Sequence, residues 1–307
     1  MEPVTVPRWH GLCNNHAITP ETRMPHIRIA LRQFARQPLH TAAMLLGLSI
    51  GLAAAFLLLA FVHYSFSYDS AVPDNDRVFV LKHKLNLLAQ PQWVERMPLP
   101  AYDVLANSGL PLTLCMAMPH KVALKLDGML RDVEFTEVDD TFPALFGVAA
   151  TAGDLHAALA RPDGLALTPQ GAQALFGTTQ ALGRTVDVDG KVLRVLALLP
   201  EPPPNTTVPY RALVGNGTVL WAPGARERMR HEWLALAGKL FVKPAPGVGP
   251  EAIRAALQQG ADRILPQLVG AETTRKLGTI ADIGITPLAD AYFDTSVAAF
   301  QGGPRAW

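Results

Sequence analysis

Residues 41–62 read Thr41-Ala-Ala-Met-Leu-Leu-Gly-Leu-Ser-Ile-Gly-Leu-Ala-Ala-Ala-Phe-Leu-Leu-Leu-Ala-Phe-Val62. As a helix this stretch is roughly 33 Å long at about 1.5 Å per residue, and a bilayer core is about 30 Å thick. The run is apolar on every face, unlike an amphipathic surface helix. Its uncharged neighbourhood extends through residue 68, so no Asp, Glu, Lys or Arg occurs in residues 41–68. A buried core helix rarely runs so long without a charge. A cleavable signal peptide has a shorter apolar stretch close to the N-terminus and a small-residue cleavage site. Here the stretch follows 40 residues, and His63-Tyr64-Ser65-Phe66-Ser67-Tyr68-Asp69 after it has no Ala-x-Ala pattern. The reading is an uncleaved membrane span.

The flanks give the span a direction. Residues 1–40 carry five Arg against two Glu, whereas residues 69–307 carry 22 basic and 24 acidic residues. Arg28, Arg32 and Arg36 recur at steps of four, which stacks them on one face of a short basic helix suited to an anionic cytoplasmic surface. Asp69, Asp74 and Asp76 open the other flank. The positive-inside rule then predicts a cytoplasmic N-terminus and an outer domain beyond the span. Tyr64, Phe66 and Tyr68 suit an aromatic belt at the outer interface. Cys13 and Cys115 fall on opposite sides and cannot pair. A formal charge of +1 over 307 residues argues against a nucleic-acid partner.

Motifs for catalysis fail on context. Gly47-Leu48-Ser49-Ile50-Gly51 has the letters of a nucleophile elbow, but that motif needs a strand before the Ser, and this one lies inside the apolar run. The same residues fit Gly-x-x-x-Gly, in which Gly47 and Gly51 let a second helix approach closely. His231-Glu232 lacks the later His of a zinc protease. Neither a phosphate-cradling Gly-x-x-x-x-Gly-Lys-Ser/Thr nor Gly-x-Gly-x-x-Gly is present. No enzyme activity, metal or cofactor is expected. Asn205-Thr206-Thr207 and Asn216-Gly217-Thr218 match the glycosylation pattern, with turn formation as the simpler account.

The outer part reads as mixed α and β. Strands are predicted at 77–86, 112–118, 121–126 (turning at Asp127-Gly128 into 129–138), 239–245 and 283–293. Short helices are predicted at 98–108, 143–146 and 169–176. Residues 185–199 form the clearest hairpin, with Asp189-Gly190 as its type I′ turn. Four prolines between Pro200 and Asn205 make a stiff connection. Gly249-Pro250-Glu251 opens a helix lined by Ile253, Leu257, Ala261 and Ile264.

These residues resemble a known family, the permeases of the MacB/FtsX-like group that work with ABC ATPases. The resemblance rests on Arg32-x-x-x-Arg36, on Gly47-Leu-Ser-Ile-Gly51-Leu-Ala, and on Ser67-Tyr68-Asp69 with Asp76-Arg77. It continues through Asp139-Asp-Thr-Phe142-Pro-Ala-Leu-Phe146-Gly147, Gly153-Asp154, Ala158-Leu-Ala-Arg-Pro162-Asp163, Gln173-Ala-Leu-Phe176-Gly177 and Leu182-Gly183-Arg184-Thr185, in that order. It spans about residues 28–295.

The resemblance implies an α+β chain: one N-terminal transmembrane helix, then a mixed α/β periplasmic domain of two lobes, a discontinuous βαβ-type lobe with a β-rich insert. The corresponding segments are 1–40 cytoplasmic, 41–66 transmembrane and 67–300 periplasmic core, in a bacterial inner membrane. Implied partners are a separate ABC ATPase, a second permease copy and the lipid bilayer. In the MacB branch a periplasmic adaptor and an outer-membrane channel join them. The implied role is transmission of ATP-driven motion for export of peptides, macrolides or lipopeptides. Family members carry three more membrane helices after the outer domain, so a truncated permease is the expectation. A single-pass extracytoplasmic sensor or scaffold is the alternative reading of the same layout.

Overall fold

The computed structural model describes residues 36–126 and 129–297. Arg28, Arg32, Cys13 and the Asp127-Gly128 turn lie outside the described residues. Helix α1 (Pro38–Phe66) covers the whole apolar run. Pro38 sits in its first turn, where a missing N–H costs nothing. Among the described residues it is the one helix long and apolar enough to cross a membrane, and its residues other than Thr41 and Ser65 stand exposed. The chain divides into a unit ending at Val62 and a second unit beginning at His63.

In chain order the second unit contains β1 (Phe79–Leu85), β2 (Trp93–Val94), β3 (Arg96–Met97), α2 (Leu99–Ala106), β4 (Leu112–Leu126), β5 (Met129–Val138) and α3 (Phe142–Phe146). There follow β6 (Ala152–Gly153), α4 (Leu155–Ala160), β7 (Gly164–Leu167), α5 (Pro169–Phe176), β8 (Thr185–Val188), β9 (Lys191–Leu198) and β10 (Ala212–Gly215). The chain continues through α6 (Ala225–Met229), β11 (Gly238–Pro244), α7 (Pro250–Val269), α8 (Ala271–Leu277), β12 (Ala281–Pro287) and α9 (Leu288–Ala291). The main strand order is β12-β1-β11-β4-β5-β10-β7-β9-β6.

Two lobes share that sheet. In the first, β1 and β4 flank β11 and are joined through α2, while β11 and β12 flank β1 and are joined through α7. All three contacts are antiparallel, so the lobe is two interlocked split βαβ units. It is built from both ends of the second unit, with the β-rich second lobe inserted between β4 and β11. Parallel pairing occurs in that insert, between β10 and β5 and between β7 and β9.

Alternation along the central strands explains why both faces are covered. Leu114, Met116 and Met118 of β4, with Leu240 and Val242 of β11, face a core closed by Leu105, Ile253, Leu257 and Leu265. Cys115, Ala117 and Phe241 face a second core with Phe142, Leu145 and Leu213. Each fully buried Leu, Ile or Phe contributes about 1.5–3 kcal/mol. On α7 the apolar row runs Ile253, Leu257, Ala261, Leu265, whereas Ile264 is half-buried at its margin. A third core fills the insert around Phe135, Leu165, Leu167 and Leu193.

The strands expected at 112–118 and 121–126 are one strand. Pro119-His120 suggests a break, but Pro119 pairs with Thr136 of β5, and the β11 ladder has already ended at Ala117. With a neighbour on one side only, a missing donor is tolerated. The strand expected over 283–293 stops at Pro287 and turns into α9. Asp189 and Gly190 both take positive φ, 52° and 79°, as a type I′ turn requires.

Candidate functional site

Two clusters of buried polar groups stand out among the described residues of the second unit. The first is the chain's exit from α1. Its last turn closes with the Ser67 N–H on the His63 carbonyl at 3.0 Å. Asp69 then takes a left-handed φ of 53° and is 2% exposed. Its N–H donates to the Asn205 carbonyl at 2.9 Å. Its Oδ1 accepts from the Thr206 hydroxyl and from the Thr207 N–H, each at 2.9 Å. In return the Asn205 amide donates to the Ser67 carbonyl at 2.6 Å and to Ser67 Oγ at 2.9 Å. The Tyr64 hydroxyl reaches the Pro204 carbonyl at 3.3 Å.

The helix exit is therefore laced to the proline-rich connection, a stiff segment that leads from β9 of the insert. Burial pushes the Asp69 carboxyl above the usual carboxylate range, against the hydrogen bonds from Thr207 and Thr206 that pull it down. Oδ2 has no hydrogen-bond partner. Asp69 lines a cavity of about 50 Å³ with Phe142, Phe146, Val208 and Tyr210.

The second cluster sits where β4 passes from one lobe to the other. Glu137 of β5 is fully buried. It accepts hydrogen bonds from Trp221 Nε1 at 2.6 Å and from Arg226 Nε at 3.1 Å, and meets His120 Nε2 at 2.7 Å. Asp139, two residues on, accepts the Met116 N–H at 2.7 Å and the Asn216 amide at 2.9 Å. Burial raises the Asp139 carboxyl, with those two bonds opposing. Residues 216–226 leave the insert and return toward β11, so these carboxylates hold the crossing strand and the return path together.

The site residues read from the sequence are not gathered in either cluster. Gly47 and Gly51 lie on α1, and a Cβ at either would meet nothing within 4 Å. Arg36 is exposed ahead of α1. Among the described residues no three His, Cys, Asp or Glu side chains form a group that could hold a metal, and Cys115 is a free, buried thiol. Ser67-Tyr68-Asp69 was legible as a motif, but its partners Thr206 and Thr207 were not. Glu137, Trp221 and Arg226 carry no local signal. Gly153-Asp154 acts structurally: a Cβ on Gly153 would collide with the Leu196 carbonyl oxygen, and Asp154 caps α4 through the Ala157 N–H at 3.0 Å.

Residues 41–260 match the family model of the MacB-like periplasmic core domain. The chain belongs to that family. The match begins inside α1 and runs through both lobes, so the MacB-like domain is continuous with its apolar helix and is anchored to a membrane by it. No curated protein matches the chain in sequence.

Among solved structures, a domain of a protein assigned as a permease from Porphyromonas gingivalis superposes with a TM-score of 0.50 at 19% identity. That alignment covers 70% of this chain and 91% of the other, and it shows a shared fold. The periplasmic region of MacB from Actinobacillus actinomycetemcomitans gives 0.48 at 14% identity over 74% and 94% of the two chains. The extracellular domain of the noncanonical ABC-type transporter YknZ from Gram-positive bacteria gives 0.42 at 12%, over 67% and 99%. The expected resemblance to MacB/FtsX-like permeases and the mixed α/β fold behind one apolar helix both hold.

Proposed function

We propose that this MacB-like chain is a permease subunit of an ABC-type efflux system and works mechanically, without chemistry of its own. In this reading residues 1–40 are cytoplasmic, 41–66 span the bacterial inner membrane, and 67–300 form the periplasmic domain. Arg28, Arg32 and Arg36 lie against the anionic cytoplasmic leaflet near a separate ABC ATPase. Gly47 and Gly51 pack against a neighbouring helix, in a second copy of the permease. ATP-driven movement of the span enters the outer domain at Ser67-Tyr68-Asp69 and passes along the proline-rich connection into the insert. Cargo of the peptide, macrolide or lipopeptide class is then expelled with a periplasmic adaptor and an outer-membrane channel.

The observation that supports this best is the hydrogen-bonded exit. A tether that only held a domain to the membrane needs no buried carboxylate binding it to a distant connection. The test is co-purification of the full chain, in detergent, with the ABC ATPase encoded beside it. Recovery of the ATPase, with ATP hydrolysis altered by the chain, is the expected result. Clean recovery of the chain alone overturns the permease reading in favour of a single-pass scaffold or sensor.

A further inference from the structure

The end of α1 carries Tyr64, Phe66 and Tyr68, and a remote part of the chain meets them. Tyr292 stacks on Tyr68 with ring centroids 4.0 Å apart and planes 19° apart. Phe293 lies 5.2 Å from Phe66 and 5.2 Å from Tyr292. Tyr64 meets Tyr68 edge-on at 6.2 Å. The remote pair is held firmly. Leu288 and Ala291 of α9 are buried, and the Leu288 N–H bonds the Val78 carbonyl at 2.7 Å. Just beyond, Asp294 pairs with Lys82 of β1 and accepts the Thr286 hydroxyl at 2.9 Å.

This cluster faces outward. Phe66 is 75% exposed, Phe293 44% and Tyr64 41%. Two phenylalanines in contact with each other and open to water have no account inside the fold. At roughly 200 Å² per aromatic side chain they and Tyr64 leave on the order of 300 Å² uncovered, well short of the about 800 Å² that each partner gives a stable protein interface. A phenylalanine pair ringed by phenol hydroxyls instead has the chemistry of the membrane–water boundary, apolar in the middle and polar at the edge.

Position favours the same partner. Helix α1 has 29 residues, about 43 Å at 1.5 Å per residue. That exceeds the hydrocarbon core and matches the about 40–45 Å of a bilayer with its interfaces. Phe66, the last residue of the helix, thus falls in the interfacial layer, and Phe293 is in contact with it.

We propose that Tyr292 and Phe293 complete an aromatic collar with Tyr64, Phe66 and Tyr68, and that the collar sits in the headgroup–acyl boundary of the bilayer crossed by α1. The outer domain then touches lipid through a segment more than two hundred residues beyond the span, in addition to its covalent tether. This rests on α1 being membrane-embedded, and the experiment separates the two claims.

The full chain in a Cys13→Ser background, with Cys115 buried and out of reach, is labelled with an environment-sensitive nitrobenzoxadiazole at one of four introduced cysteines. It is then reconstituted in phosphatidylcholine–phosphatidylglycerol liposomes. Ile50→Cys reports the middle of the span, Phe66→Cys its end, Phe293→Cys the remote ring and Val192→Cys an exposed site on β9. Lipids carrying a shallow doxyl group are expected to quench the labels at 66 and 293 to a similar extent and to leave 192 unchanged. Quenching at 66 without quenching at 293 overturns the collar. A blue-shifted but unquenched label at 293 also overturns it, placing a protein partner or second copy there. A label at 50 that deep doxyl lipids fail to quench removes the membrane reading itself and the collar with it. Phe293→Trp, read by brominated-lipid quenching, repeats the measurement with an aromatic ring retained.

Discussion

Asp69 holds Thr206 and Thr207 together through a single carboxylate oxygen, with both bonds at 2.9 Å. The residue is buried, left-handed and short of a partner on its other oxygen.

Substitution of Asp69 by Ala is expected to lower the stability of the outer domain by about 2 kcal/mol, the order of a hydrogen bond to a charged group. Asp69→Asn keeps an acceptor at Oδ1 and tolerates positive φ, so it costs less than half as much. The carboxyl is raised by burial. Its contribution is therefore greatest below the ordinary carboxylate range and is lost as pH rises through its folded value. Thermal unfolding in detergent at several pH values checks this: the Asn variant gains on the parent as pH increases.

Glu137 is the sole described acceptor for Trp221 Nε1 and a partner of Arg226. Glu137→Ala strands these donors and is expected to cost about 3 kcal/mol, the low end for breaking a buried pair, because Arg226 can still reach water. Glu137→Gln retains an acceptor and costs less. A double-mutant cycle of Glu137→Gln with Arg226→Gln, read by urea unfolding, is expected to give a coupling of about 1–2 kcal/mol.

His83 lies on β1 at 3% exposure, and neither ring nitrogen has a hydrogen-bond partner. Burial lowers its pKa to about 4. The folded chain holds it neutral while the unfolded chain protonates it near 6.5, so its stabilising contribution is complete above pH 6.5 and is lost as pH falls toward 4. The drop is about 3 kcal/mol. His83→Leu is expected to remove that acid sensitivity and to match the parent at pH 7, since no buried polar atom is then left unpaired. Unfolding midpoints between pH 4 and 7 measure both effects.

Gly47 and Gly51 have open space around them within the chain. Replacing both with Ile is expected to leave the outer domain's unfolding unchanged while reducing helix–helix association in the membrane several-fold. Crosslinking of reconstituted chains gives the readout. Unaltered crosslinking removes these two glycines from any helix contact.

Much of this fold was readable because each legible element carried a local signature. β1 alternates in part, the Asp127-Gly128 letters lead into β5, Asp189-Gly190 demands its turn, and Gly249-Pro250 starts α7. The elements missed lack such marks. β7 and β10 are four-residue strands buried at every position, so no alternation betrays them. β4 was divided at Pro119-His120 because the absence of a second neighbour strand there is a tertiary fact. At the helix exit, Ser67-Tyr68-Asp69 stood out, whereas Asn205-Thr206-Thr207 looked like an ordinary turn. Its side chains are spent on residues some 137 positions away, a relationship that no spacing rule encodes. Glu137 was hidden for the same reason, as its three partners arrive from β4 and from the return path.

The fifteen residues of β4 serve two ladders in succession, β11 up to Ala117 and β5 from Met118, and this limits how the lobes can shift. Sliding the strand by one position would exchange Leu114, Met116 and Met118 with Cys115 and Ala117 between two cores and turn Leu124 out of the third, so neither lobe can glide past its neighbour. What remains is flexing about the stretch near Pro119, where β11 has let go and only β5 still grips. Rearrangements within this domain should therefore look like a plank bowing at one knot, with both ends keeping their alignment.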